Sequence, residues 1–171
     1  VINGARDYEK IEIGYIPTGS GNDLARGLEL SADPMENLVR ILDSKELIRM
    51  DLGCISWDDG ESKKFFAVSS GVGVDADVCR LALSSTLKKV LNKIGLGTLT
   101  YAILTLQSLF AMPTMNAHIV ADGVDHGIYD KILFMAFMNH RCEGGGVPMA
   151  PIADAFDGKI SMTMIHGLTK L

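Results

Sequence analysis

The order of apolar and polar positions predicts helices and strands in alternation over the first third of the chain. Residues Ile11 to Ile16 alternate weakly and run into the glycine-rich segment Pro17 to Gly21, which indicates a short strand ending in a turn. A helix is predicted from Leu24 to Leu28, with Asn22 or Asp23 as its N-terminal cap. The chain therefore begins with an α/β pattern.

Further segments continue this pattern. A second helix is predicted from Pro34 to Leu42, since proline suits a first helical turn, and Glu46 to Leu52 follow as a strand. Residues 57–64 have the polar composition of a turn, and Phe65 to Ser70 are predicted as a strand. Two longer helices are predicted further along, Asp75 to Asn92 and Leu99 to Phe110.

After Pro113 the character changes to antiparallel β-structure. Apolar and β-branched residues separated by glycine-containing turns predict three strands. The strands are Asn116 to Ala121, Ile128 to Met138 and Lys159 to His166. The turns are Asp122-Gly123, Gly144 to Gly146 and Asp157-Gly158.

One uncharged stretch raises the question of a membrane span. Residues 94–121 contain no Asp, Glu, Lys or Arg, which is long enough to cross a bilayer. However, Pro113 interrupts the stretch and polar residues such as Gln107 and Ser108 lie off its apolar face. We therefore predict an amphipathic helix packed on a core, with no transmembrane segment.

Composition and charge narrow the class of protein. Hydrophobic residues make up 47% and charged residues 22% of the 171 residues, as in globular proteins, and the net charge of −5 disfavours nucleic-acid binding. Cys54, Cys79 and Cys142 have no metal-binding spacing and predict free thiols in a reducing cytoplasm. Because the chain opens at Val1 without Met or a signal-peptide pattern, we expect a piece of a longer protein.

The segment Pro17 to Arg26 carries the strongest candidate chemistry. Glycines between a strand and a helix let backbone N–H groups approach a phosphate closely. A carboxylate at Asp23 beside phosphates makes sense mainly with a divalent cation between them. The alternative is a plain glycine-rich turn with an Asn-Asp cap, and local spacing alone leaves both open.

Two further segments contain candidate acids. Ala150 to Ile160 contains Asp157 in a tight turn, which can bind a hard cation together with backbone carbonyls, although spacing alone favours a simple Asp-Gly hairpin. Asp51 ends a predicted strand, where a turn-forming role is the commoner one. Residues 140–143 form either a polar site loop or a surface turn.

Four segments in order resemble the diacylglycerol kinase catalytic-domain family, most closely its bacterial lipid kinase branch. They are PTGSGNDLARGL, MDLG, FFAVSSGVGVDADV and HRCEGGGVPMAPIADAFDG. The resemblance implies an α+β chain, with residues 1–52 as part of an α/β nucleotide-binding domain. Residues 53–171 would form a β-sandwich-like second domain with inserted helices, truncated at its C-terminus.

The resemblance also implies roles for residues around the first motif. Asp23 and Asp51 match acidic members of a network of nucleotide, Mg²⁺ and water, which makes them the candidate catalytic residues. The nucleotide-binding loop would contain Gly19, Ser20, Gly21 and Asn22, with Ser20 in a place that threonine usually holds.

A second Mg²⁺ site is implied in the β-rich part. Asp157 resembles its carboxylate ligand, and the carbonyl oxygens of Asp154 and Lys159 lie beside it in sequence. Val68 departs from an asparagine often found at that place in the family. The family's GGDGT motif and its DGE segment, which contains the general base, are expected outside this chain, so we expect the chain alone to be inactive.

The function implied is transfer of the ATP γ-phosphoryl group to a lipid hydroxyl, as part of phospholipid metabolism. Diacylglycerol is the leading acceptor, and sphingoid bases and other lipid alcohols stay open. We expect ATP and Mg²⁺ as cofactors and a cytoplasmic protein that meets its lipid at a membrane surface; a homodimer stays open. The alternatives are a small-molecule kinase of the NAD kinase type and a non-catalytic module that binds nucleotide or membrane.

Overall fold

The computed structural model describes residues 1–5, 10–19, 21–74, 76 and 113–167. The predicted helices at 75–92 and 99–110 lie outside this part apart from residue 76, and so do Ser20 and Cys79. The helices in the described part are α1 (Ile2–Ala5), α2 (Asp23–Gly27) and α3 (Pro34–Asp43), and a 3₁₀ turn spans Asp58–Gly60. The strands there are β1 (Gly53–Trp57), β2 (Ser62–Phe66), β3 (Ser69–Gly73), β4 (Met115–Ala121), β5 (Val124–Ile132), β6 (Phe134–Met138) and β7 (Ser161–Ile165).

The chain divides into two compact units. The first contains residues 1–69 and 137–162, and the second contains residues 70–136 and 163–171. Helices and antiparallel strands occur together in the described residues, so the predicted α+β class is confirmed.

Helix α3 begins with a proline and a capping side chain, as its sequence predicts. Pro34 occupies the first turn, and Asp33 Oδ1 accepts a hydrogen bond of 2.8 Å from Met35 N. Inside the first turns, the side chain of Asn37 is 2% exposed and donates to the carbonyl oxygens of Ser31 and Asp33. The predicted end at Leu42 differs from the observed one by a single residue.

Strands β1 and β2 form an antiparallel hairpin in the first unit, with Gly53 opposite Phe66 and Trp57 opposite Ser62. Asn3 of α1 continues this pairing with its side chain. Its amide donates to the carbonyl oxygen of Phe65 at 2.8 Å and accepts from Phe65 N at 2.7 Å. A side-chain amide thus pairs with both backbone groups of one strand residue.

In the second unit, β4 and β5 form a longer antiparallel hairpin around the predicted Asp122-Gly123 turn. Both turn residues have positive φ, 51° and 78°, as a type I′ turn requires. The single strand predicted from 128 to 138 is instead divided at Leu133 into β5 and β6. Leu133 N donates to Ile165 O, and Leu133 O accepts from Val74 N.

A three-stranded sheet has the order β3-β6-β7, with β6 in the middle. The sequence of β6, Phe-Met-Ala-Phe-Met, has no polar alternation because a central strand is covered on both faces. Met135, Ala136 and Met138 are accordingly buried, and Asn139 and His140 follow directly after the strand.

Two predicted strands do not form. Residues 11–16 and 46–52 have irregular backbone, and the hairpin that follows begins only at Gly53. A strand requires a hydrogen-bonded neighbour, and apolar sequence alone does not supply one. Without such a neighbour among the described residues, Ile11 and Ile13 stay about half exposed, at 51% and 52%.

Candidate functional site

The loop before α2 is closed by the side chain of Asn22. Its Oδ1 accepts from Gly19 N at 2.9 Å, and its Nδ2 donates to Gly19 O at 2.7 Å. Asn22 itself has the left-handed backbone conformation, with φ 52° and ψ 37°, and makes no side-chain capping bond. Asn22 therefore occupies the predicted N-cap position of α2, but its side chain closes the loop and does not cap the helix.

Asp23, the first residue of α2, binds a distant loop through its side chain. Its Oδ2 accepts a hydrogen bond of 2.8 Å from Gly145 N. Its Oδ1 is buried without a hydrogen bond, and Arg26 Nε lies 3.8 Å from it. Arg26 also donates from Nη2 to Gly21 O at 3.3 Å. A buried carboxylate oxygen with an unused lone pair is a fitting acceptor for a water or cation.

The loop that contacts Asp23 contains three successive glycines, Gly144 to Gly146. All three have positive φ, between 66° and 103°, which side-chain-bearing residues rarely adopt. Glu143 and Val147 close the loop through two backbone hydrogen bonds of 2.9 Å. A Cβ at Gly146 would lie 3.1 Å from the guanidinium of Arg26. Glycine is therefore required here for conformation and for close approach to α2.

Asp51 is held on the 154–159 turn by its backbone and its side chain. Its N–H donates to Ala155 O at 2.8 Å, and its Oδ2 accepts from Gly158 N at 2.7 Å. Its carbonyl oxygen accepts a hydrogen bond of 2.8 Å from Asn139 Nδ2. The structure therefore brings together Asp51 and the turn that contains Asp157.

The turn itself is not the Asp-Gly hairpin that spacing favoured. Asp154 Oδ1 accepts from Phe156 N, and Asp157 Oδ1 accepts from Lys159 N at 2.9 Å, so each carboxylate stabilises the backbone two residues later. Both side chains are exposed. Within the described residues no three His, Cys, Asp or Glu side chains form a metal-binding group, so any cation at Asp157 would rely on backbone oxygens.

His140 lines a cavity of about 420 Å³ together with residues of α2 and of the 153–156 segment. The residue is 3% exposed, and its Nε2 is buried without a hydrogen bond. Burial lowers the pKa of His140 because the charged form loses hydration, and the nearby Asp154 raises it by a smaller amount. His140 is therefore a buried, neutral group and not an exposed site base.

Sequence reasoning missed the role of Asn139 entirely and assigned none to Arg26. Neither a buried asparagine after a strand nor an arginine in a helix is distinctive by itself, since each gains meaning only from its partners in space. The sequence predicts a turn at Gly144 to Gly146. It does not predict their contact with Asp23, because Gly145 and Asp23 are 122 positions apart in the chain. Val68 contributes its carbonyl oxygen to Asn139 N, at 2.8 Å.

Two models of known families match the chain. Residues 67–171 match the model of the YegS C-terminal NAD kinase beta sandwich-like domain, and residues 1–55 match the diacylglycerol kinase catalytic domain. The chain belongs to the bacterial lipid kinase family. The resemblance drawn from the four motifs is thereby confirmed, and so is the β-sandwich-like character of the C-terminal part.

Several curated proteins of this lipid kinase family resemble the chain along most of its length. A Bacillus subtilis protein whose name describes it as a lipid kinase, YtlR, is 24% identical and aligns with 97% of this chain and 54% of its own length. A diacylglycerol kinase of Mycobacterium tuberculosis is 31% identical, over 90% of this chain and 47% of that protein. A Xanthomonas campestris protein whose name describes it as a YegS-like lipid kinase is 27% identical, over 91% of this chain and 47% of that protein. The chain thus spans about half the length of the curated relatives it matches.

No solved structure gives a significant match to this chain. In the part of the chain that the structure describes, none of the helices has the length and apolar character needed to cross a bilayer. Cys54 and Cys142 are free thiols, as their spacing predicted.

Proposed function

We propose that the full-length protein transfers the γ-phosphoryl group of ATP to a lipid hydroxyl, with diacylglycerol as the leading acceptor. The observation that carries the proposal is the bond between Asp23 and Gly145, because it joins the PTGSGNDLAR motif to the EGGG loop through a carboxylate whose other oxygen is buried. Relatives named lipid kinase or diacylglycerol kinase support the reaction class.

The nucleotide would be bound by the loop that precedes α2. Both backbone groups of Gly19 are bonded to the side chain of Asn22, which fixes the loop. Gly21 has no side chain that would keep phosphate oxygens away from the backbone. Ser20 completes this loop in sequence and is proposed to contribute its hydroxyl. Arg26, half exposed beside Asp23, places a positive charge at the same end of α2.

Mg²⁺ fits the chemistry of the acidic residues. The buried Oδ1 of Asp23 lacks a hydrogen bond, and carboxylate oxygens are the ligands or water acceptors that this cation prefers. Mg²⁺, when bound, neutralises charge that develops on the phosphoryl group during transfer. We propose Asp23 and Asp51 as the catalytic acids that orient its hydration shell.

A second, structural Mg²⁺ site is proposed at the 154–159 turn. Asp157 would supply one carboxylate, and the carbonyl oxygens of Asp154 and Lys159 would complete the protein's share of an oxygen-only shell. The exposed position of the turn leaves room for the waters that this cation retains. We also propose that the nucleotide-binding part ends near residue 52 and that the β-rich second domain begins there.

The acceptor test uses the full-length gene product, since the matched relatives are about twice as long as this chain. Radiolabelled ATP would be offered with vesicles containing diacylglycerol, ceramide or sphingosine, and with soluble NAD. We expect labelled phosphatidic acid, dependent on Mg²⁺ and on the vesicle surface. Labelled NADP would support the NAD kinase alternative, and nucleotide binding with no labelled product would support a non-catalytic module.

A further inference from the structure

Asn139 is a fully buried asparagine placed directly after β6, and its side chain binds two separate segments. Its Nδ2 donates to the carbonyl oxygen of Asp51 at 2.8 Å and to that of Ala67 at 2.9 Å. These two residues flank the β1–β2 hairpin on either side. One amide group therefore ties both ends of the hairpin to the end of the central strand.

The bonds explain why the residue is an asparagine. A primary amide has two N–H donors on one nitrogen, which match the two part-buried carbonyl oxygens of Asp51 and Ala67. A serine offers a single donor and an ionised aspartate offers none. The residue's own N–H also donates to Val68 O at 2.8 Å, so its backbone cannot shift to compensate.

Asp51 consequently has every polar group of its backbone bonded. Its N–H reaches Ala155 O, its carbonyl oxygen receives Asn139, and its carboxylate receives Gly158 N. The orientation of the carboxylate depends on the position of the Asp51 backbone, because an aspartate side chain has only two rotatable bonds. A displaced carbonyl at Asp51 would therefore displace the acid.

We propose that Asn139 is a positioning residue for Asp51 in the phosphoryl-transfer site. This inference rests on the proposed function, which places Asp51 among the acids that orient the hydration shell of Mg²⁺. Asn139 acts at one remove from the reacting atoms: it fixes the backbone from which the acid projects. Partners that orient metal-associated carboxylates contribute to activity without touching the substrate.

The chain contains a matched control in Asn37. Its side chain is 2% exposed, and its Nδ2 also donates to two carbonyl oxygens, those of Ser31 at 2.7 Å and Asp33 at 3.0 Å. The Oδ1 atoms of Asn37 and Asn139 are both buried without a hydrogen bond. Replacement of either residue removes the same donors from a similar environment, but Asn37 makes no contact with Asp51 or its turn among the bonds described for it.

The experiment compares Asn139→Ala with Asn37→Ala in the full-length protein, at a temperature where both variants are folded. We expect Asn139→Ala to lower kcat by about tenfold to a hundredfold, the range typical of such orienting residues. It should also raise the Mg²⁺ concentration needed for half-maximal rate, with KM for the lipid nearly unchanged. Asn37→Ala should keep the wild-type kcat and Mg²⁺ dependence.

Amide hydrogen exchange gives a readout independent of turnover. Exchange at Gly158 N–H and Asp51 N–H should accelerate in Asn139→Ala and stay at the wild-type rate in Asn37→Ala. Equal kinetic and exchange effects in the two variants, or a normal kcat in Asn139→Ala, would overturn the positioning role.

Should Asn139→Ala fail to fold, Asn139→Ser is judged by the same two criteria, with a smaller loss expected because one donor is retained. A wild-type protein without kinase activity would defeat the proposed function alone. The exchange comparison would then still decide whether Asn139 holds Asp51.

Discussion

The carboxylate of Asp23 has two oxygens in different surroundings. Oδ2 receives the Gly145 amide at 2.8 Å, whereas Oδ1 is buried without a hydrogen bond. The ion pair with Arg26 at 3.8 Å offsets little of this cost, because the arginine is half exposed and its charge is screened by water. The charge of Asp23 therefore lowers the stability of the fold, which is the pattern expected of a residue retained for binding or catalysis.

Removal of this charge should therefore reduce activity without reducing stability. In the full-length protein we expect Asp23→Asn to lower kcat by at least about tenfold, while the melting temperature stays the same or rises. The amide oxygen can still accept from Gly145 N, so the loop contact survives. Steady-state kinetics together with a thermal melt would check this.

Asp33→Asn is the control for this experiment, because Asp33 caps α3 and an asparagine caps a helix equally well. It should leave both kcat and melting temperature near the wild-type values. A near-normal kcat in Asp23→Asn would assign Asp23 a purely structural role.

His140 makes stability depend on pH with a defined sign. Burial lowers its folded-state pKa below the usual value of about 6.5, so the unfolded chain binds the proton more readily. Its contribution to stability is therefore complete above the unfolded pKa and is lost as pH falls through the lower folded value. We expect the melting temperature to drop on acidification from about pH 7.5 to about pH 5, and His140→Gln to reduce that drop. His126→Gln, at an exposed histidine, is the matched substitution; equal effects of both variants would contradict the prediction.

At the scale of elements, α2 and the segment after β6 are in close contact at Gly27. A Cβ at this last residue of α2 would collide with the imidazole of His140, at Nδ1. Gly4 in α1 is also helical, but nothing lies within 4 Å of the place where its Cβ would be. Replacement of Gly4 by alanine therefore tests helix propensity alone, whereas the same replacement of Gly27 also tests the space available for a Cβ atom.

Gly27→Ala should destabilise the fold by about 1–3 kcal/mol, since overpacking outweighs the gain in helix propensity. Gly4→Ala should be neutral or stabilise by up to about 1 kcal/mol. Urea denaturation of both variants would measure this difference. The double variant Gly27→Ala/His140→Ala should lose less than the sum of its single changes; simple additivity would show that the two residues do not clash.

The elements that the sequence predicted well are those whose capping and turn residues lie within or next to the element. Helix α3 follows from Asp33, Pro34 and an apolar period, and the β4–β5 hairpin follows from Asp122-Gly123 at positive φ. Residues 11–16 and 46–52 were wrongly predicted as strands, because pairing depends on neighbours that the pattern does not specify.

The motifs of the candidate site were predictable from the sequence, but the contacts between them were not. The sequence allows the side chain of Asn22 either to cap α2 or to close the preceding loop, and in the structure it closes the loop through its bonds to Gly19.

At the scale of the whole molecule, the proposed cation at Asp157 should be visible as added stability. A ligand that binds only the folded state stabilises it by mass action, so Mg²⁺ should raise the melting temperature of the full-length protein. Asp157→Asn should remove most of that rise. Asp122→Asn is the control, because Asp122 also begins an Asp-Gly turn but lies in the β4–β5 hairpin. The same Mg²⁺-induced shift in all three proteins would leave the 154–159 turn without a metal.

The bond between Asp23 and Gly145 joins residues that are 122 positions apart in the chain. During synthesis on the ribosome, Asp23 emerges long before its partner exists. At typical elongation rates of 5–20 residues per second, the interval is roughly 6 to 24 s. For that time Oδ2 of Asp23 lacks the Gly145 amide as its hydrogen-bond donor. The contact that joins these two motifs can therefore form only after Gly145 has been translated.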